Sequence, residues 1–106
     1  MLDISLLAQK LDFEEEDVVM LLEMFIESSQ QSIKLLRKAL ETSDFPAIKE
    51  HAHSIKGSAS NLLLDEIYQL SRSIEEASIT QSPFDYATAY TKLYHALNNI
   101  KITETV

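Results

Sequence analysis

The chain has 106 residues, a formal net charge of −8, no cysteine, no tryptophan, two prolines and a single glycine. One glycine excludes both the dinucleotide fingerprint and the Walker loop, which need three and at least two glycines, and with two prolines it argues against a hairpin-rich β protein. Absent cysteine removes disulfides, zinc ribbons and thiol nucleophiles, and the acidic balance disfavours nonspecific binding to nucleic acid or anionic lipid.

What remains is a mostly helical domain. Residues 1–106 carry no repeat, low-complexity tract or Gly/Ser linker and read as one domain. The N-terminus lacks the basic-then-apolar pattern of a leader, and no stretch approaches the roughly 18 apolar residues of a membrane span. The expected setting is therefore cytoplasmic.

Ile4 to Lys10 can form a short helix with Asp3 as N-cap. Asp12-Phe13-Glu14-Glu15-Glu16 reads as the start of a second helix, because acids in the first turn suit the positive end of the helix dipole. Val18, Leu21, Leu22, Phe25, Ile26, Ile33, Leu36 and Leu40 then recur at three- and four-residue spacing. Ser29 fills the gap in that stripe, and the helix is expected to end near Thr42.

Asp44 and Pro46 form a cap-then-proline start for a third helix, with Ile48, Ala52, Ile55, Ala59 and Leu62 on one face. A break near Leu63 and Leu64 makes Asp65 the expected cap of a fourth helix, burying Ile67, Leu70, Ile74 and Ala77. Ser82-Pro83 repeats the start signal ahead of a fifth, with Tyr86, Tyr90, Leu93, Leu97 and Ile100 in register. Short connections between long helices imply antiparallel neighbours. Thr103 to Val106 are expected to fray.

The third helix holds the chemistry. At about 100° per residue, His53 falls about 140° from the centre of the apolar stripe, on the water-facing side. His51 points toward the edge of the core, and His95 on the last helix reads as a surface residue. Lys49, Lys56, Gly57 and Ser60 share the face of His53. Gly57 lies inside the helix, since the apolar register continues through it to Ala59 and Leu62, and there it costs about 1 kcal/mol relative to alanine. Residues four apart are neighbours on a helix surface, so the missing side chain opens space beside the imidazole. Lys56 brings an ammonium to the same spot. An exposed imidazole with cleared space and a nearby cation suits a transferable anion, with phosphoryl on a ring nitrogen the leading candidate.

The run Ala52-His53-Ser54-Ile55-Lys56-Gly57-Ser58-Ala59-Ser60-Asn61-Leu62 resembles the signature of the histidine-containing phosphotransfer (HPt) domain family. The resemblance implies an all-α fold: an antiparallel four-helix bundle with a short additional N-terminal helix. It implies that His53 carries the phosphoryl group, that Lys56 helps neutralise it, and that Gly57 gives the partner access. Glu50, Ser54, Ser58, Ser60 and Asn61 would form the docking surface, with Ile4, Leu7, Met20 and Met24 as weaker candidates. The family has no catalytic centre of its own; the expected partners are response-regulator receiver domains or a hybrid sensor kinase. No cofactor is expected on this chain, Mg²⁺ belonging to the receiver, and the protein would be a monomer. Members commonly carry glycine soon after the Asn-Leu pair, where the helix ends in a left-handed cap. Leu63 stands there here, so the turn is expected to be built differently or the helix to run on.

Competing chemistry is weak. His51 and His53 diverge by about 160° on a helix, whereas helical metal ligation uses four-residue spacing. No glycine remains for a nucleophile elbow, and Glu14–Glu16 read as a helix-start charge cluster. The alternative to a phosphorelay carrier is a non-phosphorylated interaction module of the same fold, discriminated by His53 and Lys56, which a degenerate member would usually have lost and which are both present. From Met1 and the short tail a free-standing protein is expected ahead of the terminal domain of a hybrid sensor kinase, though an excised domain would look similar.

Overall fold

The computed structural model describes residues 2–100. The regular elements there are five α-helices: α1 (Ile4–Leu11), α2 (Glu15–Glu41), α3 (Phe45–Asn61), α4 (Asp65–Thr80) and α5 (Tyr86–Asn98). The expected fraying of 103–106 lies outside the described residues. Contacts link α2 with α3, α3 with α4, α4 with α5 and α5 back to α2, while α1 lies against α2. The extents are 45 × 19 × 18 Å, and the long axis is close to the length of the 27-residue α2 at about 1.5 Å per residue. No helix among the described residues is long and apolar enough to cross a membrane.

The core follows the predicted stripes closely. Val18, Leu22, Leu36, Ala52, Ala59, Ile74 and Leu93 are each fully shielded from water. Three corrections concern which side chains complete it. Leu21, Ile26 and Leu40 of α2 and Leu70 of α4 are half-buried at the seams. On α4 the buried arc takes in Ser71, Glu75 and Ser78. The small size of the two serines suits the close approach of α4 to α3, and their hydroxyls return to their own helix, Ser71 Oγ donating to the Ile67 carbonyl at 2.8 Å and Ser78 Oγ to that of Glu75 at 2.6 Å. Ile4 and Leu7, weak candidates for docking, are instead buried against α2, leaving Met20 and Met24 exposed.

Helix starts agree where a carboxylate sits at the cap. Asp3 accepts from the Leu6 amide at 3.0 Å and Asp44 from that of Ala47 at 3.2 Å. Elsewhere the boundaries move. Asp12 closes α1 in the left-handed conformation and α2 starts only at Glu15, with Glu14 at its N-cap. Leu64, not Asp65, caps α4, and it offers no side-chain acceptor. Ser82-Pro83 lies in the α4–α5 connection; Asp85 caps α5, accepting from the Thr88 amide at 3.0 Å.

Leu63 does not rebuild the turn after α3. It adopts φ 56° itself, the Leu63 amide donates to the Ser60 carbonyl at 3.2 Å, and that of Leu64 to the Ala59 carbonyl at 3.0 Å. These are the paired bonds of a Schellman ending, made with leucine where glycine would be relaxed. Asp12, Ser43 and Gln81 hold the same left-handed conformation. The described residues thus include four positions that glycine would relieve, and the glycine is at none of them.

Candidate functional site

His53 projects from the solvent face of α3, its side chain 66% exposed, opposite the buried Ala52 and Ile55 that anchor the helix. His51 is half-buried and His95 exposed, the latter edge-on to Tyr94 at 5.8 Å. Gly57, one turn beyond His53, is exposed, and a Cβ placed on it would meet nothing within 4 Å. The space is therefore open to solvent and is not filled by the fold.

The decisive contact comes from α4. Glu75, buried with only 9% of its side chain exposed, reaches across with both oxygens. Oε2 lies 2.6 Å from Nδ1 of His53, and Oε1 accepts from Nζ of Lys56 at 2.7 Å. Burial pushes the Glu75 carboxyl up, but the hydrogen bonds and charges of Lys56 and His53 outweigh it and hold it below the ordinary glutamate value. An ionised carboxylate only accepts, so in the neutral form of the ring the proton sits on Nδ1 and the lone pair on Nε2. Lys56, with 22% of its side chain exposed, lies against Glu75 in this resting arrangement.

Around this triad α3 contributes a shallow open hollow. It is lined by every residue expected at the site except Glu50, and Tyr68 of α4 closes one side. Glu50 is exposed one turn earlier on the same helix. Ser54 and Ser58 also border the groove toward Ser28 and Ser32 of α2. A deeper hollow of about 510 Å³ between the start of α4 and the end of α5 contains none of these residues. Among the described residues no cluster of three or more His, Cys, Asp or Glu is placed to hold a metal ion.

The model of the Hpt domain family matches residues 20–100, well over half of the chain. The chain belongs to the Hpt domain family. Hpt domains are phosphotransfer carriers of phosphorelays that work with receiver domains, and the matched range takes in His53, Lys56, Gly57 and Glu75. Comparison with curated proteins and with solved structures gives no match.

Glu75 is the residue of the candidate site that sequence reasoning missed. Its signal was present. Glu75 follows Ile74 in the buried register of α4, four residues after Ser71 and three before Ser78. A carboxylate on such a face needs a hydrogen-bonded cation, and the neighbouring helix supplies one in Lys56.

Proposed function

We propose that this Hpt domain is a phosphorelay carrier in which Nε2 of His53 accepts a phosphoryl group from the aspartyl phosphate of a receiver domain and returns it to another. The observation that carries the reading is the His53–Glu75 contact. It holds the ring by Nδ1, turns the nucleophilic nitrogen outward, and does so beside the open space over Gly57. Transfer between an aspartyl oxygen and Nε2 is in-line displacement, where positioning and charge neutralisation are what the proteins supply. The receiver brings the aspartate and Mg²⁺. This chain brings a fixed imidazole, the Lys56 ammonium one turn away and an unobstructed approach.

The scaffold is read as an antiparallel four-helix bundle of α2–α5 with α1 as the additional helix. It acts as a cytoplasmic monomer, and Glu50, Ser54, Ser58, Ser60 and Asn61 are the docking residues, joined by the exposed Met20 and Met24. The test is incubation with a phosphorylated receiver and Mg²⁺. Acid-labile, base-stable label on wild type, lost in His53→Gln, is the expected result. Tight receiver binding without label would identify the non-phosphorylated interaction module instead.

A further inference from the structure

Glu75 has one negative charge and two partners. With the ring in its neutral form, protonated only at Nδ1, that charge is balanced by Lys56. Transfer changes the account at the ring. The Nε2 lone pair forms the N–P bond, and the P–O pair leaves with the donor's carboxylate oxygen. The Nδ1 proton stays in place. The ring is then a phosphoimidazolium, so a positive charge has arisen 2.6 Å from Glu75 Oε2, while anionic phosphoryl oxygens have arrived on the solvent side.

We propose that Glu75 exchanges its cationic partner during transfer: the phosphoimidazolium takes over neutralisation of the buried carboxylate, and Lys56 swings to the phosphoryl oxygens. The flexible four-carbon stem of Lys56 starts one turn from His53, and Lys56 is among the residues that line the hollow. Donation runs the exchange backward. The N–P bond breaks, its electron pair returns to Nε2, the ring becomes neutral with its proton still on Nδ1, and Lys56 goes back to Glu75. Keeping that proton makes the ring a better leaving group, so Glu75 is a positioning residue that also sets donor strength. A neutral amide there could orient the ring but could not balance its charge. The other charged groups nearby are otherwise placed: Lys49 and Glu50 are exposed on α3, and Arg72 of α4 is paired with Glu76 at 2.9 Å.

This rests on His53 as the carrier, and the experiment separates the two. Wild type, Glu75→Gln and Lys56→Gln, labelled with ¹⁵N in histidine, are checked for helix content and phosphorylated with phosphoramidate. The ring nitrogens are read by NMR at about pH 7, near the ordinary histidine range. Expected is a protonated Nδ1 in phosphorylated wild type and Lys56→Gln but an unprotonated one in Glu75→Gln. Return of phosphoryl to a receiver by Glu75→Gln should be slower by about tenfold, the effect of losing one charge-assisted hydrogen bond. An unprotonated Nδ1 in wild type, or equal protonation in Glu75→Gln, overturns the partner exchange while leaving the carrier intact. A wild type that takes no phosphoryl from either phosphoramidate or a receiver overturns the carrier, and the exchange with it.

Discussion

Replacing Gly57 separates what the fold wants from what the site wants. The residue sits inside α3, twelve positions after Phe45 and four before Asn61, and a Cβ on it meets nothing within 4 Å. No internal contact opposes a side chain, so the helix-propensity term acts alone. Gly57→Ala should stabilise the protein by about 1 kcal/mol, and Gly57→Gln by somewhat less. For a domain near 100 residues 1 kcal/mol corresponds to a rise in Tm of about 4–8 °C. Transfer should move the other way. A glutamine here stands beside the ring on the side a receiver must approach, and a misplacement of about 1 Å at a reacting centre can cost on the order of 10²-fold in rate. Thermal unfolding followed by circular dichroism gives the first number, and single-turnover transfer from a phosphorylated receiver the second. A Tm that fails to rise would show that Gly57 is held by a constraint within the fold. A stabilised Gly57→Gln that transfers at the wild-type rate would show that the open space is not there for a partner.

Four further outcomes follow from the same geometry. Leu63→Gly should raise stability by about 1 kcal/mol, because leucine at φ 56° carries a left-handed penalty that glycine lacks; a lower urea midpoint would contradict this. Asp85→Ala should cost about 1 kcal/mol through loss of the α5 cap, whereas Ser82→Ala, outside the helix, should stay within about 0.5 kcal/mol. Ile74→Ala should cost about 2–5 kcal/mol, since its side chain is fully buried between helices, and a smaller loss would mean that α4 can collapse onto the void. Glu75 also gives an acid dependence: its folded value lies below the ordinary one, so its contribution is complete above the unfolded glutamate value of about 4.3 and disappears as pH falls through the lower folded value. The difference in urea midpoint between wild type and Glu75→Gln should therefore shrink from pH 7 to strongly acid solution, and a constant difference would remove Glu75 as the cause.

What the sequence revealed depended on how local each determinant is. The stripe from Ile48 to Leu62 repeats every three or four residues, so the buried face of α3 and the exposure of His53 were legible from spacing alone. Helix starts were legible at Asp3 and Asp44, where the cap lies immediately before the helix. They were misplaced at Ser82-Pro83 because two cap signals compete there, and Asp85 wins by pairing with both the Thr88 amide and its hydroxyl, the latter at 2.6 Å. The turn at Leu63 was misjudged for a different reason. Its left-handed geometry is imposed by the bonds that close α3 and by the burial of Leu64 just beyond it, and a residue's own preference yields to that context. Glu75 was missed because its meaning is tertiary: it lies 22 residues from His53, and only the packing of α4 on α3 joins them.

The placement of the lone glycine and the placement of Glu75 both depart from what stability alone would select. Asp12, Ser43, Leu63 and Gln81 each hold a conformation that glycine would relieve, yet the glycine stands in a regular helix where alanine would be better. Glu75 is buried where α4 could carry an apolar residue at no desolvation cost, and its two hydrogen bonds offset that cost only while His53 and Lys56 are present. Each departure converges on the same few ångströms of α3. Relaxing the glycine should yield a sturdier helical domain with a less competent histidine, and a protein improved in both respects by Gly57→Ala would show that the site carries no such conflict.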